Sequence, residues 1–307
     1  MKNVTRRGFT KTCLAAAAAA RFAFTQARAA KTVDLSFSTL GCPTWDWKTI
    51  LEQARKMGFT GIELRGIQKR MDLPTLPQFA GTAWKQSLKD VQALDLKIVD
   101  LGASTQLHEP DAAKRKAGLD SARQFIDLAH NLKCPHVRVF GDRFLKNESR
   151  QATIDRVVEG LRELGNHAKG SGVTVLQESH GDFNKSADLL AVLKAVDMPE
   201  VALLWDTHHT VAFGKESPGE TWKQMSKYVR HIHLKDSRPK GDGDEVQYVL
   251  FGTGSRPVKE TVKVLAEGGY KGSYGLEWEK GWHPELEEPE VAFPQFVKTM
   301  REYLGES

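Results

Sequence analysis

The feature that most constrains the fold is an alternation of short, almost wholly apolar runs with longer amphipathic runs. Short runs that are apolar on both faces are typical of strands in a buried parallel sheet. We predict eight such strands: Val33–Thr39, Gly61–Leu64, Lys97–Gly102, Val137–Phe140, Val173–Glu178, Ala202–Asp206, His231–Lys235 and Tyr274–Glu277. The clearest helical patterns between them are Lys48–Lys56, Ala112–Leu132, Gln151–Lys169, Ser186–Val196 and Val258–Glu267.

This alternation predicts an α/β fold, and specifically a (β/α)8 TIM barrel formed as a single domain by residues 30–307. The alternative is an open doubly wound sheet, but no glycine-rich fingerprint follows the first strand. One connection, Asp236–Arg256, is unusually long, polar and rich in turn residues. It is either a hairpin or lid over a site, or a mobile surface loop.

The first 29 residues have the pattern of an export signal. Arg6 and Arg7, followed by Phe9 and Lys11, fit the twin-arginine type, and a weakly apolar alanine-rich run follows them. The alternative is a basic N-terminus before a frayed alanine helix. The run is too short to span a bilayer. We therefore expect a periplasmic or otherwise exported protein that translocates already folded and keeps no stable membrane association once the signal is removed.

The charge of the chain is concentrated in that signal. The whole chain has 44 basic and 39 acidic residues, and six of the basic residues but no acidic ones lie in residues 1–29. The remainder has 38 basic and 39 acidic residues, a formal net charge of −1. The basic balance of the whole chain therefore does not indicate a nucleic-acid partner.

Cysteines outside the signal are few. Cys42 follows the first predicted strand and Cys134 precedes the fourth, so in a barrel they lie at opposite ends. Two cysteines that far apart cannot form a disulfide, and we predict two buried free thiols.

Four consecutive strands end in residues that can bind a metal, namely Glu178, Asp206, His233 and Glu277. In a barrel these ends meet at one mouth, where active sites form. The intervals from Glu178 to Asp206 and from Asp206 to His233 are 28 and 27 residues, about one strand–helix unit each, which places the residues at one level. Three carboxylates buried together need a cation. We predict one divalent ion, with Mn²⁺ favoured over Mg²⁺, Co²⁺ and Zn²⁺.

With these motifs the chain resembles the xylose-isomerase-like barrel superfamily, whose members include tagatose 3-epimerase, inosose dehydratase and hydroxypyruvate isomerase. The resemblance covers most of the chain after the signal and rests on five segments: Gly58–Leu64, Glu178–Gly181, Asp206–His209, His233–Asp236 and Tyr270–Glu277. It implies the same four metal ligands, and homodimers are common in that superfamily.

The resemblance also implies roles for individual residues. Glu178 and Glu277 match the glutamates that exchange protons with substrate, and His209 matches a histidine that contacts it. Two positions depart from tagatose-type epimerases. Asn184 stands where they have a further glutamate, and Pro239, with Arg238 beside it, stands where they have an arginine. Ketohexose C3 epimerisation is therefore not the expected reaction.

Further residues are candidates for the same mouth. We predict substrate binding by His180, Glu63, Lys235 and Arg238, with support of the ligands as the alternative for His180 and a salt bridge as the alternative for Lys235. Arg138 either binds substrate or pairs with a carboxylate, and His231 lies one layer below His233. Four tryptophans either form an apolar wall for a sugar ring or pack in the core: Trp45, Trp205, Trp278 and Trp282.

The leading functional prediction is a metal-dependent isomerase or epimerase of a free sugar or keto-sugar, working by proton transfer through an enediolate. A lyase or hydrolase acting on an oxidised, for example 3-keto, glycoside is the alternative, because the same intermediate can expel a β-substituent. An endonuclease-type phosphodiesterase is opposed by the near-neutral charge of residues 30–307. A non-catalytic sugar-binding barrel is the third alternative. The expected partner is a small carbohydrate and not nucleic acid.

Overall fold

A computed structural model describes residues 33–241 and 243–305, so the predicted export signal lies outside the described residues. Eight parallel strands form the sheet: β1 (Leu35–Ser38), β2 (Gly61–Leu64), β3 (Lys97–Gln106), β4 (His136–Phe140), β5 (Thr174–Glu178), β6 (Val201–Asp206), β7 (Val229–Leu234) and β10 (Tyr274–Leu276). They close into a barrel in the order β1-β10-β7-β6-β5-β4-β3-β2, which confirms the predicted TIM barrel.

Helices follow the strands and cover the outside of the barrel. They are α1 (Trp47–Met57), α2 (Trp84–Ala93), α3 (Ala112–Asn131), α4 (Arg150–Ala168), α5 (Ser186–Val196), α6 (Thr207–Ala212), α7 (Pro218–Met225), α8 (Val258–Glu267) and α9 (Pro289–Leu304). Single turns of 3₁₀ helix lie at Thr39–Gly41 and Leu73–Thr75. None of these helices in the described ranges is both long and apolar enough to cross a membrane.

Local sequence explains where the helices begin and end. Asp46 caps α1 by accepting a hydrogen bond from the Thr49 amide at 2.8 Å, and Gly58 ends it with a φ of 90° that favours glycine. Ser217 and Glu220 form a reciprocal capping box at the start of α7. The five helices predicted from periodicity are present, and three of them, α1, α3 and α4, begin at a side-chain N-cap.

The long connection after β7 contains an antiparallel hairpin of β8 (Asp236–Pro239) and β9 (Val246–Val249), which was one of the two alternatives. The Asp236 carboxylate anchors its return, accepting hydrogen bonds from the amides of Gly252 at 3.1 Å and Gly254 at 2.8 Å. The turn that contains Gly252 and Gly254 therefore binds a carboxylate of its own chain. We call the contacts of Asp236 with the amides of Gly252 and Gly254 the Asp236 clamp.

The core has one part inside the barrel and one under the helices. Leu176, Ala202 and Leu204 form a buried cluster, and alternation along β5 and β6 puts them on the same face as Glu178 and Asp206. Beneath α9, Phe37 packs against Phe293 with ring centroids 4.4 Å apart. Cys42 and Cys134 are buried free thiols, as predicted.

Candidate metal centre

The four residues at the strand ends converge in one buried cluster. Each of Glu178, Asp206, His233 and Glu277 offers a ligand atom, and these atoms all lie within 4.8 Å of one another. Glu178 and Asp206 end β5 and β6, His233 stands one residue before the end of β7, and Glu277 directly follows β10. The equal spacing of the strand–helix units brings the first three to one level of the barrel, as the sequence predicted.

The Glu63 carboxylate orients the His233 ring so that it can bind a metal ion. The Nε2 of His233 lies 2.7 Å from Glu63 Oε2. Its Nδ1 faces the cluster, 3.4 Å from Glu178 Oε1 and 3.3 Å from Glu277 Oε2. A carboxylate that binds the far nitrogen of a histidine fixes the ring and its tautomer in metal sites. Glu63 thus lies below the cluster, deeper than the position at the mouth expected from the sequence.

Several buried atoms of the cluster lack an aligned hydrogen bond. These are His233 Nδ1, Glu178 Oε2 and Asp206 Oδ2, each without a hydrogen-bond partner in the described part of the chain. Buried polar atoms are normally paired, so a convergent group of orphaned ones needs an explanation. One imidazole and three carboxylates form a donor set that suits a divalent ion, and the cluster is able to hold one.

The charges of the cluster act strongly on one another. Burial raises the pKa of Asp206 to about 6, and the neighbouring charges of Glu277 and Glu178 add to the rise while Lys235 opposes it. Burial alone would lower the pKa of His233, but the negative charges of Glu277 and Glu63 raise it well above its usual value. The arrangement therefore favours positive charge at its centre.

Two buried cations offset part of this negative charge. The Lys235 Nζ donates to Glu277 Oε2 at 2.5 Å and to Glu279 Oε1 at 2.6 Å, and it lies 2.8 Å from Asp206 Oδ2 without hydrogen-bond alignment. The Arg138 Nε lies 3.0 Å from Glu178 Oε2, without hydrogen-bond alignment. Arg138 thus takes the carboxylate partner that was one of its two predicted alternatives. Lys235 shows the salt bridges that were the alternative to substrate binding, at a position next to the cluster.

Two histidines flank the cluster. His209 Nε2 lies 3.6 Å from Asp206 Oδ2, and the ring of His180 lies 4.9 Å from that of His209 between centroids. Burial lowers the pKa of His209 well below its usual value, helped by the positive charge of Lys235. The His180 Nδ1 forms a hydrogen bond with Asp142 Oδ1 at 2.9 Å. Burial lowers the pKa of His180, but this hydrogen bond and the nearby carboxylates outweigh burial and raise it. A neutral ring and a more basic ring thus stand side by side.

The match to a known family decides the classification of this barrel. A profile described as xylose isomerase-like TIM barrel matches residues 51–302, which include all four residues of the cluster. The chain belongs to the xylose isomerase-like TIM barrel family.

Two proteins that act on inososes by name are similar to this chain at 25% and 27% identity. An inosose isomerase from Halalkalibacterium halodurans is 25% identical over 237 residues, covering 74% of this chain and 80% of that protein. An inosose dehydratase from Clostridium botulinum (strain Alaska E43 / Type E3) is 27% identical over 184 residues, 55% of this chain and 58% of that protein. The chain therefore aligns with less than two thirds of that dehydratase.

Solved structures share the fold. A crystal structure of the IOLI protein with a bound zinc atom superposes with a TM-score of 0.75 over 89% of this chain and 99% of that chain, at 19% identity. The same fold thus extends over 89% of this chain.

Two residues that depart from the epimerase pattern are engaged elsewhere. Asn184 donates to the Gly181 carbonyl at 2.6 Å. Arg238 is exposed in β8 and donates to the Thr253 carbonyl at 2.5 Å, so the structure does not bring it into contact with the four-residue cluster.

Of the four tryptophans, Trp45, Trp205 and Trp278 are at most 8% exposed and pack in the core, whereas Trp282 is 53% exposed.

Sequence reasoning missed two residues near the centre. Asp100 in β3 is fully buried opposite Glu63 in the strand register, and both its carboxylate oxygens lack a hydrogen bond in the described part of the chain. Burial and the charge of Glu63 raise its pKa well above the usual value. Arg65 is 7% exposed just beyond β2. The signal for Asp100 is an acidic residue inside the apolar run of β3. The signal for Arg65 is a charged residue two positions after Glu63.

Proposed function

We propose that the protein is a metal-dependent isomerase or epimerase that transfers a proton beside the carbonyl of a sugar or keto-sugar, through an enediolate. The observation that carries the proposal is the meeting of two glutamates, Glu178 from β5 and Glu277 after β10, in one buried four-residue cluster. The inosose isomerase among the relatives supports a reaction of this kind.

Glu178, Asp206, His233 and Glu277 would hold the ion, and we favour Mn²⁺ among the divalent metals. When bound, such an ion supplies Lewis-acid polarisation of a carbonyl and stabilises negative charge on oxygen. Glu63 keeps the His233 ring in place through its 2.7 Å contact. Burial of the cluster excludes water, which strengthens every charge interaction there.

Glu178 and Glu277 are the proposed proton carriers. They enter the site from strands separated in the barrel by β6 and β7, so they can reach a flat intermediate from different directions. One carboxylate removes the carbon-bound proton and the other returns a proton, which inverts a centre or moves the carbonyl. His209 and His180 lie beside the cluster, where their polar atoms can bind substrate hydroxyls.

Elimination is the second candidate reaction, because an inosose dehydratase is also among the relatives. It begins with the same proton abstraction. The bond from the β-carbon to its oxygen substituent then breaks, the electron pair of the former C–H bond becomes a C=C bond conjugated with the carbonyl, and the departing oxygen takes a proton. A lyase acting on an oxidised glycoside follows this scheme.

Deuterium exchange tests the proposal. The full chain loaded with Mn²⁺ is incubated in heavy water with a panel of free and 3-keto sugars, and incorporation of deuterium at carbon is followed by NMR. We expect incorporation with the native protein and its loss in Glu277→Gln. The control Glu285→Gln changes an exposed glutamate eight residues further along the chain and should retain incorporation. Full exchange in Glu277→Gln would exclude that residue as a base. Absence of exchange with every sugar for the native protein would reject the enolisation function.

We also propose that the protein acts outside the cytoplasm, on the basis of Arg6, Arg7 and the apolar run that follows them. Replacement of both arginines by lysine should leave the protein in the cytoplasmic fraction, whereas the native chain should be found in the exported fraction. Equal distribution of the two would reject the twin-arginine prediction.

A further inference from the structure

A small cavity opens at the mouth of the barrel, on the opposite side from β5 and β6. Its volume is about 110 Å³, and it is lined mainly by residues that follow β1, β2 and β10, among them Thr39, Gly66, Lys69 and Trp282. These strands are neighbours in the barrel, and β10 also precedes the ligand Glu277. The cavity is therefore at the same end of the barrel as the cluster and shares a strand with it.

Trp282 gives this cavity an apolar surface open to solvent. The side chain is 53% exposed, and Val291 is the only other large apolar side chain of the described residues found so exposed. Burying a large apolar side chain is favourable, so an exposed indole at the mouth of the barrel offers binding energy to a ligand with an apolar face.

Arg65 connects the cavity with the cluster. It stands two residues after Glu63, so alternation puts its side chain on the inner face, one layer nearer the mouth. Its amide donates to Thr39 Oγ1 at 2.9 Å, in the cavity wall, and its guanidinium carbon lies 6.0 Å from the centroid of the Trp282 ring. Its Nη1 donates to Ser104 Oγ at 3.1 Å, which holds the guanidinium in place.

The wall of the cavity formed after β2 is a fixed turn. Ile67 and Arg70 exchange two backbone hydrogen bonds of 3.1 and 3.0 Å, and Gln68 and Lys69 between them have φ values of 51° and 64°. Left-handed backbone is unfavourable at a non-glycine residue, so two such residues are retained only where the surroundings hold them. The turn places Lys69, a hydrogen-bond donor, in the cavity wall.

We propose that this cavity is a subsite for a second ring, so that the substrate class is a glycoside and not a free monosaccharide. The reacting sugar lies at the four-residue cluster, and the ring attached to it packs against Trp282. The assignment rests on the proposed function for the reacting sugar. An apolar cavity of about 150 Å³ holds a benzene molecule, so the volume here suits part of one ring, with the rest lying over the exposed indole.

Calorimetric titration of the Mn²⁺-loaded full chain tests the subsite. The probes are phenyl β-D-glucoside and its 3-keto form, cellobiose as a disaccharide, D-glucose, and phenol. We expect at least one two-ring probe to bind about tenfold more tightly than D-glucose, and Trp282→Ala to remove that advantage. Trp84→Ala is the matched control, because Trp84 begins α2, is half-buried and does not line the cavity.

The outcomes separate this inference from the proposed function. An advantage confined to the phenyl glucosides identifies an aromatic group, and one confined to cellobiose identifies a second sugar; both support the subsite. Equal affinity for one-ring and two-ring probes, or an advantage that survives Trp282→Ala, overturns it. Tight binding of the 3-keto phenyl glucoside, whose carbonyl lies beside exchangeable C–H bonds, together with absence of deuterium exchange in every sugar of the panel, would retain the subsite and reject the enolisation function.

Discussion

Glu63 offers the sharpest test of how the metal centre is built. Its Oε2 lies 2.7 Å from His233 Nε2 and 3.1 Å from His231 Nε2, and it touches none of the other proposed ligands in the described contacts. A charge-assisted hydrogen bond contributes about 1.5–3 kcal/mol, against about 0.5–1.5 kcal/mol for a neutral one. Glu63→Gln keeps an oxygen acceptor, so the bond to His233 should lose about 1.4 kcal/mol, a tenfold fall in metal affinity.

The assay is calorimetric titration of chelator-treated protein with Mn²⁺ and, separately, Zn²⁺. Glu148→Gln is the control, because Glu148 also accepts two hydrogen bonds, from Arg156 at 2.8 and 2.6 Å, but lies at the start of α4. Both variants should lose some stability, and Glu63→Gln alone should lose metal affinity. If folded Glu63→Gln bound both ions as tightly as the native protein, orientation of His233 by Glu63 would be refuted.

Three further predictions concern stability and reactivity. Asp34 pairs with Lys97 and accepts from Thr60 at 2.7 Å, contacts that lower its pKa despite the opposing effect of burial. Asp34→Asn should therefore cost about 1 kcal/mol in urea unfolding at pH 7. The difference should shrink as the pH falls below 3.8, the ordinary value, through the lower folded pKa. Gly181→Ala should cost about 1–3 kcal/mol, because φ is +59° and a Cβ would meet the Asp142 carbonyl at 2.3 Å; unchanged unfolding would contradict this. Burial raises the pKa of both Cys42 and Cys134, so peptide mass mapping should find them unlabelled by a thiol reagent until the protein is denatured.

The sequence was informative where a local pattern repeats. Apolar strands and capped helices each depend on a few neighbouring residues, and a nearly constant unit length carries Glu178, Asp206 and His233 to one height. The cluster of four side chains could therefore be anticipated from spacing and from the cost of burying carboxylates together.

What the sequence could not supply depends on the tilt and stagger of the barrel strands. A closed barrel shifts neighbouring strands along its axis, so the distance of a residue from its strand end does not by itself fix its height. Glu63 consequently lies below His233, and Asp100 lies in mid-strand because β3 extends to Gln106. Whether a tryptophan is buried depends in the same way on packing between residues that are distant in the sequence. Trp45, Trp205 and Trp278 are buried, whereas Trp282 is exposed.

The Asp236 clamp has a consequence for how such a protein can change. One carboxylate, two residues beyond β7, binds the chain again at Gly252 and Gly254, where the hairpin returns to the barrel. The span between these points can thus be lengthened, shortened or exchanged while His233 and Glu277 stay fixed by their own strands. The hairpin is a natural graft point, through which selection or a protein engineer could reshape what enters the mouth without rebuilding the centre beneath it.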